Sequence, residues 1–498
     1  MSTVSQRWAA LESEKQPYMN RGEQYSRWTL SHVFPPESYN GNISLDQDWD
    51  SVGAQSVNHL SNKLMLTLFA PARPFFRLDA EEAALTKMAQ EMGVDEAKVK
   101  LMLSRAEKAA VKRLNKKNAR TALAHLLKLL VVTGNALFYL PKEDKARTYS
   151  LRDYVVQRNS QGDLQELILR EEFTVDQLSD EEREQVMAAK GAKASDKVKL
   201  YTWVLRDGDK FTVTQFADDV VLSGNGVYEE NELPYIPVTW NLITGDHYGV
   251  GHVEEYQGEF HTIDVLQQSL VEGAAVAAQL KFLVNPNGSA DVEELNNADN
   301  GDYVWGAPDD VTTVNVDKVQ DWSTLQGIIS QAEQRVGRGF LVNSAITRDA
   351  ERVTAEEIRI QASELENALG GVYSHLAEQL QQPIAVILLN EIDLGGLEAE
   401  GIEPIVTTGI DSLSRGSEHE QMMLFLQDTS IMNTIPEEVR GILQVDNLLS
   451  QMAMGRGVKY EDLIKSKEQQ EADQQKALAQ QKELMQAEAQ AKQQQPQG

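Results

Sequence analysis

The stretch from Gly251 to Arg352 constrains this chain most: a long helical run, a β-rich insert, and a second helical run that returns. In the first arm Val253, Tyr256, Phe260, Ile263, Leu266, Leu270, Ala274, Ala277 and Leu280 recur three or four residues apart. That is the one-faced stripe of an amphipathic helix. About 28 residues at 1.5 Å each predict a rod of roughly 40 Å. The insert, Phe282 to Trp322, is broken at Asn285-Pro-Asn-Gly288, at Gly301 and at Gly306-Ala-Pro308. Between these breaks Asp302-Tyr-Val-Trp305 and Val311 to Val316 have the composition of strands. The return arm opens on Ser323-Thr-Leu-Gln326, a capping-box pattern, and sets Leu325, Ile329, Ala332, Val336 and Phe340 on one face. Two rods with a β tip make an odd enzyme core. They suit a spoke.

Before the spoke, residues 1–246 read as helices followed by a strand-rich α+β part. Residues 80–132 predict two helices split by Gly93, the second carrying Arg105, Lys108, Lys112, Arg113, Lys116, Lys117 and Arg120. Such a run is a solvated face more often than a binding patch. Thr133-Gly-Asn-Ala-Leu-Phe-Tyr-Leu140 predicts a turn into a buried strand. Tyr154 to Val156 with Leu164 to Leu169, and Val198 to Val204 with Phe211 to Gln215 across Asp207-Gly208, predict two hairpins. After the spoke, Thr354-Ala-Glu-Glu357 launches a long helix that Gly370-Gly371 and Pro383 bend or break. The last 33 residues, Ser466 to Gly498, hold 12 Gln and too few apolar side chains to pack alone.

The 498 residues contain no cysteine, which excludes a disulfide framework and a thiolate metal site. The N-terminus lacks the apolar core of a signal peptide, and no run approaches 18 apolar residues, so a soluble protein without a membrane partner is expected. With 76 acidic against 47 basic residues, the net charge of −29 argues against tight wrapping of DNA. It permits DNA to slide past, because each phosphate contact is a place to stall.

Motifs that carry chemistry are missing. There is no Gly-x-x-x-x-Gly-Lys-[Ser/Thr] phosphate loop, no His-Glu-x-x-His and no Gly-x-Ser-x-Gly elbow. Gly249-x-Gly251 lacks the third glycine of a dinucleotide fingerprint and reads as a hinge into the first rod. His247, His252 and His261 sit five and nine residues apart and do not share one helical face, so no metal is expected. No catalytic residue and no cofactor is assigned. Arg335, Arg338, Arg348 and Arg352 pair with nearby acids or, on the alternative reading, face a lumen and touch phosphates weakly.

Several segments in order resemble the portal, or head-to-tail connector, proteins of short-tailed, podovirus-type bacteriophages. They are Arg21 to Leu30, Val57-Asn-His-Leu-Ser-Asn-Lys-Leu-Met-Leu66, Arg73-Pro-Phe-Phe-Arg-Leu78, Thr133-Gly-Asn-Ala136 and Glu351-Arg-Val-Thr-Ala-Glu-Glu-Ile358. The resemblance runs from about Arg21 to about Ile464 and implies an α+β portal fold. In it, residues 1–246 form the wing, 247–281 and 323–342 the two stem helices, and 282–322 a small β-containing clip. Residues 343–353 become the tunnel loop, 354–416 the long tunnel helix and its return to the wing, 417–465 a helical crown and 466–498 a Gln-rich tail. A homododecameric ring at one capsid vertex is implied, with DNA packaged through it and later ejected. Implied partners are capsid and scaffolding proteins, the terminase large subunit, tail adaptor proteins and double-stranded DNA. Implied sites are Arg338, Arg348 and Arg352 toward the channel, and Asn287, Tyr303 and Trp305 toward terminase or adaptor. The location implied is the virion, with host cytoplasm during assembly. Another ring-forming adaptor or scaffold, and a carboxylate-based hydrolase, are the alternatives.

Overall fold

The structure is a computed structural model, and the residues it describes are 3–45, 49–71, 74–79, 86–87, 89–90, 93–191, 193–222, 226–279, 282–313, 319–342, 355–392, 405–407, 425, 427, 448–449 and 451–452. The chain divides into two compact units, Met1–Val353 with Ile358–Ser412, and Thr354–Glu357 with Leu413–Gly498.

The first unit opens with helices α1 (Val4–Trp28) and α2 (Val52–Leu68), strand β1 (Arg77–Asp79), and helices α3 (Glu96–Lys116) and α4 (Ala119–Thr133). Helix α4 is apolar nearly all round, and Leu123, Leu126, Leu127, Leu129, Leu130, Val131 and Val132 are buried. A narrow strip with Arg120, Thr121 and His125 stays exposed, and the rest of the helix joins the core. The break before it falls at Lys117 and Asn118, where Asn118 turns left-handed with φ 54°. The sequence reading put the split only at Gly93. The Asn115-Lys-Lys-Asn118 run was the available signal, since Asn tolerates that conformation.

Strands follow: β2 (Asn135–Tyr139), β3 (Arg147–Tyr149), β4 (Tyr154–Arg158), β5 (Leu164–Thr174), β6 (Lys197–Asp207), β7 (Lys210–Ala217), β8 (Val220–Val221), β9 (Gly226–Glu229) and β10 (Tyr235–Thr239). Both expected hairpins are present. Val155 lies opposite Ile168 in β4–β5, and Val204 opposite Val213 in β6–β7, which turns at Gly208. These strands, with β8 and β9 on β7, make a six-stranded sheet, while β10-β2-β3 make a separate three-stranded one. Side chains alternate across a strand, so Tyr201 and Val198 serve opposite faces of the larger sheet. On one face Val4, Trp8 and Leu11 of α1 pack on Val155, Ile168 and Tyr201. On the other, Val186 of helix α5 (Asp180–Lys190) packs with Val175, Val198, Ala217 and Leu222.

Helix α1 is tied to the chain around β4 by Lys15, which is 1% exposed. Its Nζ donates to the carbonyl oxygens of Leu151 at 2.8 Å, Tyr154 at 3.0 Å and Arg152 at 3.3 Å. The basic face foreseen on the helix after Gly93 is partly consumed in the same way. Arg113 Nε donates to Glu391 at 2.9 Å, Lys117 pairs with the same carboxylate and reaches the Pro141 carbonyl at 2.7 Å, and Arg120 reaches the Phe69 carbonyl at 3.2 Å.

Two short strands, β11 (Asn241–Leu242) and β12 (Gly249–Val250), lead into the spoke: helices α6 (His252–Glu255) and α7 (Gln257–Ala277), strand β13 (Phe282–Val284), helix α8 (Val292–Asn297), strand β14 (Val311–Thr313) and helix α9 (Val319–Gly339). Beyond it come α10 (Ala355–Leu369), α11 (Val372–Leu376), a π-helical turn (Ala377–Gln381), α12 (Gln382–Asn390) and β15 (Ile405–Thr407), which pairs antiparallel with β1. Gly370 and Gly371, at φ 62° and 94°, make the expected break, and Pro383 sits in the first turn of α12.

Burial lowers the Lys15 ammonium from an ordinary 10.5 to about 8. Its charged form is therefore disfavoured in the fold; that cost is fully present below pH 8 and is relieved as pH rises through 10.5. The stability of the wild type minus that of Lys15→Met is expected to grow across this window by on the order of 2–3 kcal/mol. Urea unfolding at a series of pH values measures it, and a flat difference would refute it.

Candidate functional site: the two-helix stem and its tip

The spoke is launched from a joint in which backbones touch. Helix α4 ends on Gly134, whose φ of 75° is left-handed, and a Cβ there would lie 2.5 Å from the backbone nitrogen of Gly251. A Cβ on Gly251 would in turn meet the Val132 carbonyl oxygen at 2.8 Å. Asn135 locks the joint: its Nδ2 donates to the carbonyls of Thr133 at 2.9 Å and Gly249 at 2.8 Å, while its Oδ1 accepts from Gly249 N at 2.7 Å. Gly249 and Gly251 are thus a packing requirement of the joint.

The first rod is not one continuous helix. It breaks at Tyr256, between α6 and the 21-residue α7. Across the stem, a Cβ on Gly339 would fall 2.2 Å from the Tyr256 ring, so the last turn of α9 accepts that ring only because Gly339 has no side chain. Around this seat Phe340 packs on His252, Tyr256 and Phe260 with ring centroids 4.7, 5.5 and 5.7 Å away. His252 bridges the two arms, its Nε2 3.0 Å from the Gly339 carbonyl and its Nδ1 3.3 Å from the Glu255 carboxylate. That hydrogen bond, ahead of the charge of His252, holds the Glu255 carboxyl below its ordinary value.

Farther out, the seam is Phe260 and Ile263 against Ile329, Ala332 and Val336, all buried. Arg335 Nε donates to Glu259 at 3.3 Å beside it. Near the far end Gly273 faces Trp322, whose indole nitrogen would be 3.6 Å from a Cβ placed there. The pairs 256 with 339, 259 with 335 and 273 with 322 describe an antiparallel register over 17 residues of α7, roughly 25 Å at 1.5 Å per residue. Trp322 already lies within α9, which starts at Val319 and not at the Ser323 capping pattern. The contact with the facing helix gives the first turn a partner that the local pattern does not show.

Charge is sparse along the rods. Helix α7 carries Glu259, Asp264 and Glu272 and no lysine or arginine; α9 balances Asp321 and Glu333 against Arg335 and Arg338. Of the channel candidates, Arg338 is exposed in the last turn of α9, whereas Arg348 and Arg352 lie outside the described residues. The three histidines have different neighbours. His247 Nδ1 accepts from Arg158 N at 3.1 Å, His252 serves the stem seat, and His261 lies by Trp28 with centroids 5.8 Å apart.

At the tip, β13 pairs antiparallel with β14, Leu283 opposite Thr312. Of the two strands expected there, Val311 to Val316 is present as β14 over Val311–Thr313, its last three residues lying outside the described ones, whereas Asp302 to Trp305 is irregular chain between Gly301, at φ 105°, and Gly306. Its composition suits a strand, but no neighbouring strand pairs with it among the described residues. Asp310 organises the tip by accepting from Ser289 N at 2.9 Å, Ser289 Oγ at 2.8 Å and Ala307 N at 2.9 Å. The Ala307 N–H is the first cause of its lowered pKa. Sequence reasoning missed Asp310, although the Gly306-Ala-Pro-Asp-Asp310 run that ends in it is a turn signal. Asn287 sits in the Asn285–Gly288 turn, its N–H donating to Asn285 Oδ1 at 3.0 Å. Tyr303 is 100% exposed and Trp305 83%.

The family model described as bacteriophage head to tail connecting protein matches residues 1–415. The chain belongs to that family. A protein named portal protein from Enterobacteria phage SP6 is 32% identical over 488 residues, 97% of this chain and 94% of that protein. Portal proteins of Escherichia phage T7 and Pseudomonas phage phiKMV are 32% and 34% identical, covering 83% and 81% of this chain and 79% and 80% of theirs. A solved chain from the neck of a native GTA particle computed with C12 symmetry covers 80% of this connector and 99% of itself, at 12% identity and a TM-score of 0.32. That likeness is too loose to carry an argument.

In this connector the seat of the stem is held by packing more than by charge. Phe340→Ala removes a ring from a buried cluster and is expected to cost about 3–5 kcal/mol. Glu259→Gln breaks only the part-exposed pair with Arg335 and is expected to cost under about 1 kcal/mol. Thermal unfolding of both variants tests the order, which the reverse ranking would overturn.

Proposed function

We propose that the chain is the repeating subunit of a homododecameric ring at one capsid vertex, through which the terminase motor packages DNA and the filled head later ejects it. Family membership supplies the connecting role. The observation that supports a ring is the outer side of the stem, where Val265, Val271, Val276 and Ile328 stay exposed on the single chain. A rod pair that covers one seam and leaves apolar side chains outside is short of burial until other rods stand beside it. The α+β part then anchors in the shell as the wing. The rods line a sleeve with few bases to grip phosphate, and the tip meets terminase during filling and tail adaptors afterwards. No catalytic step is assigned to the chain: ATP hydrolysis belongs to the motor.

Twelve copies of 55.6 kDa make about 667 kDa. Native mass and negative-stain averages are expected to give that mass as a ring with a central hole. Val276→Asp, which puts a charge where rods meet, is expected to shift the mass toward smaller species. A compact wild-type monomer that also turns over a substrate would refute the reading.

Arg348 and Arg352 are proposed to face the channel from the 343–353 loop and to resist backsliding of DNA. Arg348→Ala with Arg352→Ala is expected to leave the ring assembled and to reduce DNA retained in packaged heads. Retention at the wild-type level in that double variant would sink the loop's assignment while leaving the ring intact.

A further inference from the structure

Where the end of α1, the start of α2 and the first half of α7 meet, the fold buries a carboxylate that it does not satisfy. Asp264 is 6% exposed, yet among the described residues no hydrogen bond reaches its Oδ1. Its Oδ2 faces the Arg27 guanidinium at 3.6 Å, beyond hydrogen-bond range, and that side chain is 54% exposed. An ionised carboxylate so placed is costly until a counter-charge satisfies it. A second carboxylate stands close by. Asp50, half-buried just ahead of α2, accepts from Val52 N at 2.7 Å. Burial raises its carboxyl above the ordinary value, and the charge of Asp264 adds to that. The three helices are held together there by contacts of their own. A Cβ on Gly53, in the first turn of α2, would fall 2.1 Å from the Trp28 carbonyl oxygen. The Trp28 ring lies 5.8 Å from that of His261, one turn before Asp264.

We propose that Asp264 and Asp50 together hold a hard divalent cation, of the Mg²⁺ or Ca²⁺ class, between the stem and the α+β part. Two neighbouring carboxylates carry two negative charges, which one divalent ion matches and the single, distant Arg27 does not. The donor set is oxygen, which suits a hard cation that keeps several waters and takes one or two carboxylates from the protein. Zinc is a poor fit: it draws its ligands from three or more His, Cys, Asp or Glu side chains, and among the described residues no such group of three stands together. The burial of Asp264 also argues against a lysine or arginine from a second copy, whose head group has no way to Oδ1, whereas a bare ion is small enough to reach it. Bound there, the ion ties α7 to the first turn of α2 and neutralises the one carboxylate of the rod that faces inward. The proposal is independent of the ring, since both carboxylates belong to one chain.

The test uses the purified full-length chain, stripped with EDTA, and titrates MgCl₂ or CaCl₂ at fixed ionic strength. Calorimetry reads the binding, and thermal unfolding reads its consequence. The wild type is expected to take up one ion per chain above the weak background of its other acids and to unfold at a higher temperature with it. Asp264→Asn and Asp50→Asn are each expected to weaken that binding at least about 10-fold, because each removes a charged ligand. Asparagine at 50 still accepts from Val52 N, so the turn before α2 is kept. Arg27→Gln removes the competing cation and is expected to tighten binding, a result that a merely structural ion pair does not produce. In EDTA, Asp264→Asn is expected to unfold no earlier than the wild type, since it discards an uncompensated charge. No saturable uptake by the wild type, or equal affinity in wild type and Asp264→Asn, overturns the proposal. Should Asp264→Asn fail to fold, the other two variants decide: affinity lowered in Asp50→Asn and raised in Arg27→Gln supports the site, and any other pair of results overturns it.

Discussion

Close contact between backbones at one joint governs this structure. Gly134, Gly249 and Gly251 let the end of the most buried helix, the start of a central strand and the root of the stem occupy one small volume. Asn135 then satisfies the polar groups that such crowding isolates from water. Any side chain there would push the stem's root away from the core helix that fixes its direction. A side chain's width of error at the root grows along a rod roughly 25 Å long, so the position of the tip is decided at the joint.

The molecule also divides its burial unevenly. The α+β part closes its cores on both faces of the larger sheet and hides even a lysine and an arginine-paired glutamate. Among the described residues the stem closes the seam between its rods and a contact with α1, where His261 lies by Trp28, and the tip closes little beyond the Asp310 cradle. Independence of fold falls along the chain from body to tip, as exposure of apolar surface rises. A subunit built this way is complete at its base and unfinished where it meets other molecules.

Much of this was legible in the sequence. The stem seam, Phe260 and Ile263 against Ile329, Ala332, Val336 and Phe340, follows from helical period, and the two hairpins follow from alternation around Asp207-Gly208 and the Asn-Ser-Gln-Gly turn. What was not legible depends on partners far away in the chain. The Tyr256 ring at the break is seated on Gly339, the early start of α9 includes the seat of Trp322, and two residues of the basic run answer Glu391, 274 and 278 positions from Lys117 and Arg113. Asp302 to Trp305 misled for the opposite reason: strand composition reports what a segment tolerates, not whether a neighbour is there to pair with it. For the site residues, the sequence marked Tyr303 and Trp305 as aromatic, and only the fold shows that they are left uncovered.

The stem has an aromatic ring seated over a glycine near each end, Tyr256 on Gly339 and Trp322 facing Gly273. Sliding one rod by a helical turn, 5.4 Å, would drive at least the Tyr256 ring off its glycine and into a neighbouring side chain. The two rods are therefore keyed against slip. A push on the tip travels along them as along a single strut, arriving at the glycine joint as a change of angle instead of being lost between the helices.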